Sequence, residues 1–257
     1  MKGLVEGLIQ VKQEGAAAVL ATVVEVEGNG RVAAGQKCLV RDGRVHSGTI
    51  HHEELQAAII REAGVRLQEE RSKLVPLDLP LAGGKMEVFF EVIPSPPKLI
   101  VVGAGHIAVP LVRIAKVLDY YVVVIEDRIL FANRERFPDA DEILVGDMAE
   151  TIKGITITPT TYIVLITRGH KYDEPCLREI IHSPAKYIGM IGSRRRIKAC
   201  FQRFSEEEKI AKEDLQRVYA PIGLDISTET PEEIALSILG EIIKVRRGGK
   251  AQSLSGH

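Results

Sequence analysis

The run Leu99-Ile100-Val101-Val102 empties without a break into Gly103-Ala104-Gly105-His106-Ile107-Ala108. A strand ending in glycines spaced GxGxxA, with a helical pattern behind it, has a chemical use. Gly103 permits the tight turn, and Gly105 carries no Cβ, so a phosphate can approach the backbone. Ala108 lets the following helix pack closely on the strand. The free amides of the turn and helix start, with Ala104, His106 and Ile107 completing the cofactor-binding set, then face the anion. About 20 residues on, the next apolar strand ends at Glu126-Asp127-Arg128, where an acid takes the hydroxyls of an adenosine ribose. Asp127 is the residue expected to do so, because it follows the last apolar residue by two and reaches the strand tip. Its carboxylate disfavours a 2′-phosphate, which Arg128 beside it would tolerate. The pattern suits NAD(P), a pterin nucleotide or another phosphate ligand. It also suits glycines that merely turn the chain.

Two further segments sit where parallel strands should end, at the border of a ligand crevice. In Thr167-Arg168-Gly169-His170-Lys171-Tyr172-Asp173, His170 and Asp173 are the candidate catalytic pair for proton transfer, or ligand contacts. Asp173 has a plainer alternative, as the cap of the helix containing Leu177 and Ile181. In Gly189-Met190-Ile191-Gly192-Ser193-Arg194-Arg195-Arg196, Gly192 and Ser193 resemble a second anion cradle. Arg194 and Arg195 are available there for a phosphate or carboxylate, although a run of arginines also makes a solvated face. Asp225, in the turn-rich stretch before the last helix, is within possible reach of the crevice.

These residues need a scaffold. Pro94-Ser95-Pro96-Pro97 cannot continue a helix or a central strand, and marks a stiff connector. Before it, residues 1–93 read as a small α+β domain. Helical patterns cover 4–12 and 52–66, and strands cover 17–27 and 85–93. A hairpin joins 37–41 to 44–46 around Asp42-Gly43, and Gly28-Asn29-Gly30 signals another turn. After the connector, apolar runs at 99–102, 121–125, 142–145, 162–167 and 187–191 alternate with helical segments, the first at 106–117. Continuous apolar strands require cover on both faces, so 98–247 reads as a Rossmann-like, doubly wound parallel sheet. The last helix announces itself with Thr230 as N-cap, Pro231 at the first helical position and Glu233 at the capping-box position. The expected fold class is therefore α/β: a Rossmann-like parallel sheet domain preceded by a smaller α+β domain.

Composition removes several functions. The 257 residues are 45% hydrophobic and 27% charged, with a net charge of -1. That is ordinary globular chemistry, with no bulk basicity for nucleic acid. Aromatics are only 5% and Trp is absent, which leaves few stacking platforms for single strands. No apolar stretch approaches the length that spans a bilayer, and the acidic N-terminus is not a signal peptide, so a cytoplasmic protein is expected. Cys38, Cys176 and Cys200 are far apart and odd in number, which argues against disulfides and structural zinc.

Taken in order, GAGHIAVPL, the strand ending in Asp127-Arg128, TRGHKYD, YIGMIGSRRR and APIGLDISTETPEEIALSI resemble the xanthine dehydrogenase accessory factor (XdhC/CoxI) family. The likeness covers 98–247. ATVVEVEG, AGQKCLVRDGRV, SGTI and GGKMEVFFE extend it to the N-terminal half. The resemblance implies a maturation factor for molybdenum hydroxylases of the xanthine dehydrogenase type. Such a factor binds molybdenum cofactor (molybdopterin), assists its sulfuration with a cysteine desulfurase, and delivers it to an apo molybdenum hydroxylase; a homodimer is expected. Carried over, Gly103, Gly105, His106, Asp127, His170, Gly192, Ser193 and Arg194 are the matching positions. The competing readings are an NAD(P)-dependent oxidoreductase and a dinucleotide sensor. Three places depart from the family: its Ser-Ser-Pro-Arg-like turn is Gly28-Asn29-Gly30-Arg31, a cysteine common before the later Gly-Gly is Ala82, and its glycine triplet after GTI is His51-His52-Glu53-Glu54 here. With His46, those side chains offer metal ligands. Equally, Glu53 and Glu54 open a helix and favour its dipole.

Overall fold

A computed structural model describes residues 2–27, 32–82, 84–253 and 255, and the chain divides into two compact units, Met1–Pro96 and Pro97–His257. The expected turn at Gly28-Asn29-Gly30 lies outside the described residues.

The first unit holds α1 (Lys2–Gln13), β1 (Ala18–Glu27), β2 (Lys37–Arg41), β3 (Arg44–Gly48), α2 (Glu53–Glu69), β4 (Lys73–Leu79) and β5 (Gly84–Ile93). Its strands form an antiparallel sheet in the order β3-β2-β1-β5-β4. Strand residues alternate between faces. Val19, Ala21 and Val23 of β1 accordingly pack with Leu55, Ile59 and Ala63 of α2, while Ala18 and Leu20 pack with Leu4 and Val11 of α1. Sequence reasoning passes over β4 because Pro76 sits in its middle. The strand lies at the sheet edge, where a missing N–H is tolerated.

The second unit begins with β6 (Lys98–Val102) and α3 (Ala108–Val117). There follow β7 (Tyr121–Glu126), β8 (Glu142–Val145), α4 (Met148–Lys153), β9 (Thr161–Leu165) and α5 (His170–Ile180). The unit closes with β10 (Tyr187–Met190), α6 (Arg194–Glu206), α7 (Lys212–Gln216), β11 (Val218–Tyr219) and α8 (Pro231–Arg247). All six strands are parallel, in the order β11-β10-β9-β6-β7-β8. This is the doubly wound Rossmann topology: the chain winds one way from β6 through β7 to β8, then returns to β9 on the other side of β6. The ligand crevice of such sheets opens at that reversal, outside the carboxyl ends of the strands.

Burial follows from the two-sided cover. Leu99 and Val101 of β6 join a core with Leu111 and Val112 of α3 and Ile238 and Leu239 of α8. Ile100 and Val102 join the opposite core with Leu177 of α5 and Phe204 of α6. β8, expected as a buried run, is the edge strand; its residues are only partly covered and Val145 is 47% exposed. The N-terminus of α8 forms as expected. Thr230 Oγ1 accepts the Glu233 N–H, and the Glu233 carboxylate accepts the N–H groups of Glu229 and Thr230.

Candidate functional site

β6 delivers the chain into the reversal point through a turn only glycine can make. Gly103 has φ of 102° and donates its N–H to the Ile125 carbonyl at 2.8 Å. A Cβ there would stand 2.6 Å from the Ile166 carbonyl oxygen. The turn is thus threaded between the ends of β7 and β9. Ala104 is tied at both polar groups: its N–H donates to Glu126 Oε2 at 2.9 Å, and its carbonyl accepts from Arg136 Nη1 at 2.7 Å. Gly105 is the opposite case, with no atom within 4 Å of where a Cβ would sit. The helix expected from His106 begins at Ala108, after a bend. Among the described residues, the N–H groups of Gly105, His106 and Ile107 consequently have no acceptor. Unpaired amides ahead of a helix, with its dipole behind them, favour an anion.

Two acids at the end of β7 divide the labour. Glu126, which the sequence reading passes over in favour of its neighbour, is the structural one. It is buried, and accepts from Arg128 Nε at 2.8 Å and Nη2 at 3.1 Å as well as from Ala104. Burial is the largest influence on its carboxyl and pushes the pKa up. The bonds from Arg128 and the Ala104 amide outweigh it and hold the pKa at about 2. Arg128 is fixed by Glu126 and lies over the Phe131 ring at 3.7 Å, a cation–π contact. The sequence does carry a signal for Glu126: it ends the apolar run, and a carboxylate there must find donors. Asp127, expected to hold a ribose, is half-exposed at the strand tip but already engaged. Arg168 Nη2 lies 2.7 and 2.6 Å from its two oxygens. The neighbouring Glu126, and then burial, raise its pKa.

The expected catalytic pair, His170 and Asp173, borders one small cavity, with the two side chains in different surroundings. His170 is exposed at the first position of α5. Asp173 points inward, where its carboxylate accepts from Thr167 Oγ1 at 2.6 Å and Arg196 Nη2 at 3.2 Å. Nor does Asp173 cap α5, whose N-cap is Gly169. Burial raises the Asp173 pKa. The cavity bordered by His170, Asp173, Arg196 and Cys200 holds about 10 Å³, at most one water. Ser193 is the N-cap of α6, its Oγ accepting the Arg196 N–H at 3.3 Å, beside Gly192. Arg194 and Arg195 are exposed and unpaired among the described residues. Arg196, not singled out in the sequence, turns inward to Asp173 and the Ile191 carbonyl. Asp225 is exposed and likewise unpaired among the described residues.

A family model described as the XdhC Rossmann domain matches residues 99–242, and one described as the XdhC and CoxI family matches 11–78. The chain belongs to the XdhC and CoxI family. It is 29% identical to an uncharacterized protein, YqeB, of Escherichia coli (strain K12), over 93% of this chain and 46% of that protein. It is also 29% identical to a probable xanthine dehydrogenase subunit of Bacillus subtilis (strain 168), over 70% of this chain and 52% of that protein. The chain thus spans about half the length of these curated relatives. A solved xanthine dehydrogenase structure from Bacillus halodurans shares the fold at a TM-score of 0.56 and 20% identity, covering 96% of this chain and 98% of that one.

The Rossmann match of this XdhC and CoxI chain runs from β6 into α8 and includes every residue of the glycine turn. At the departure from the family glycines, His52 caps α2 without a side-chain bond, and Glu53 and Glu54 fill its first turn. No group of three His, Cys, Asp or Glu is set to hold a metal among the described residues. A cavity of about 470 Å³ within the first unit is lined by Glu25, Glu27, Asp78 and Glu87 against Lys85, the wrong charge for a phosphate.

Proposed function

We propose that this chain is an accessory factor for a molybdenum hydroxylase of the xanthine dehydrogenase type, and that it holds a phosphate-bearing cofactor at the carboxyl edge of its parallel sheet. Family membership supports the first half, together with a relative named as part of a probable xanthine dehydrogenase. The second half is carried by one observation: among the described residues the N–H groups of Gly105, His106 and Ile107 have no acceptor, and the space beside Gly105 is open.

Within this reading the cofactor is molybdopterin in its molybdenum-loaded form, and the client is the apo molybdenum hydroxylase. The bound cofactor would supply the metal centre its client uses. The chain's own residues hold the phosphate at the amides of a turn that Glu126 and Arg136 fix through Ala104, and leave the crevice open. Sulfuration would come from a cysteine desulfurase acting directly on the bound cofactor. Burial pushes the thiols of Cys38, Cys176 and Cys200 up to about 12, so they are poor sulfur carriers. A homodimer working in the cytoplasm belongs to the same proposal; no helix among the described residues is long and apolar enough to cross a membrane.

Asp127 at the tip of β7 favours a second reading, a dinucleotide sensor, over an NAD(P)-dependent oxidoreductase. Exposed His170 and committed Asp173 offer no ready proton relay. One experiment addresses both readings. Purified chain is mixed anaerobically with molybdenum cofactor and run on gel filtration, and separately titrated with NADH and NADPH by fluorescence. Co-elution that is lost in Gly105→Val supports delivery, and a nicotinamide response without co-elution supports the sensor. Neither signal in the wild-type chain would overturn the reading.

A further inference from the structure

The pair Arg168–Asp127 has a particular place in the sheet. Asp127 follows the last residue of β7 and Arg168 leaves the end of β9, and those are the two strands that flank β6. The ion pair therefore spans the end of β6, where the glycine turn emerges. It occupies both oxygens of the carboxylate placed to meet a ribose, through a single guanidinium nitrogen.

The two arginines near this point differ in their freedom. Arg128 is held by the buried Glu126 carboxylate and an aromatic face, and its Nε also lies 3.7 Å from Asp127 Oδ1. The side chains of Arg168 and Asp127 are 36% and 30% exposed, and pairs so hydrated are weak and exchange readily. Tyr172 lies 4.1 Å below the Arg168 guanidinium and supports its plane without neutralising its charge. Arginine prefers a phosphate, which it can grip with two parallel bonds, over one nitrogen shared between carboxylate oxygens.

We propose that Arg168 and Asp127 form an exchangeable latch. A ligand phosphate at the Gly105–Ile107 amides draws Arg168 to itself, and the freed Asp127 carboxylate takes the ligand's ribose hydroxyls. One ion pair breaks, a guanidinium–phosphate contact and a carboxylate–diol contact form, and no proton moves. This rests on the phosphate site and the dinucleotide reading proposed above, since molybdopterin carries no ribose, and narrows that reading's ligand to a ribonucleotide carrying both a phosphate and a vicinal diol. A phosphate alone takes Arg168 from Asp127 and leaves the carboxylate only its longer contact to Arg128 Nε at 3.7 Å, and a nucleoside alone cannot displace Arg168. Each half ligand binds poorly and the whole binds well.

Calorimetric titration of the full chain with ADP-ribose, inorganic pyrophosphate and adenosine tests this. The wild-type chain should bind ADP-ribose at least tenfold more tightly than either fragment. Arg168→Gln should tighten adenosine several-fold while weakening pyrophosphate. Asp127→Asn should do the reverse, tightening pyrophosphate and weakening adenosine. A merely structural pair would weaken all three ligands together in both variants, and that result overturns the latch. Wild-type binding of ADP-ribose without the crossed pattern removes the latch and leaves the phosphate site standing. A wild-type chain that binds neither ADP-ribose nor pyrophosphate removes both.

Discussion

Glu126 and Asp127 are adjacent, equally acidic and chemically alike, yet burial gives them different work. Sequence reasoning places an acid at the tip of β7 and assigns it to the ligand. It cannot see that the side chain one residue earlier turns under the glycine loop, because that depends on which face of β7 the loop covers. The consequence is measurable. The Glu126 carboxyl sits at about 2, below its ordinary 4.5. A depressed folded-state pKa contributes stability that is present above pH 4.5 and is lost as pH falls toward 2, offset in part by the raised pKa of its neighbour Asp127. Burial of Asp173 raises its pKa and so works in the opposite direction, in any variant that keeps it. Glu126→Gln removes the charge that Arg128 answers. It should lower unfolding free energy by roughly 2 kcal/mol at pH 6 and by much less at pH 3, as read by urea titration at the two pH values. An equal loss at both would mean that Glu126 is not the ionised anchor of the turn.

At the scale of elements, local chemistry predicts best where local bonds decide. The N-terminus of α8 is legible because Thr230, Pro231 and Glu233 complete their capping bonds within a few residues. Thr230→Ala should cost about 1 kcal/mol, seen as a drop of about 2–4 °C in thermal melting; an unchanged melting point would show that the cap is redundant. Elements set by tertiary position are hidden. β4 carries a proline acceptable only at an edge, and nothing in the sequence says which strand is last. β8 is apolar enough to be central but lies at the edge of its own sheet. β11 is two residues long, below any periodic signal. The helical pattern places the start of α3 two residues early, and that difference matters most. The bend at 105–107 is what leaves three amides without acceptors among the described residues.

For the whole molecule, the parallel order β11-β10-β9-β6-β7-β8 turns these local facts into a site. It brings Gly103, Asp127, Arg168 and Thr167 to one edge from segments distant in sequence. The alternation of apolar runs and helical patterns is enough to expect such a sheet. The glycine spacing is enough to expect its ligand edge. The engagement of Asp127 by Arg168 is not legible, since it joins residues 41 apart that only strand order makes neighbours. The central claim is that backbone amides at this edge grip a phosphate. Amide NMR of the labelled full chain, titrated in parallel with ADP-ribose, NADH and anaerobic molybdenum cofactor, tests it most directly. At least one ligand should shift the Gly105, His106 and Ile107 amides strongly while leaving Ala104, already bonded to Glu126, nearly still. Saturating additions of all three that leave those amides in place would contradict it.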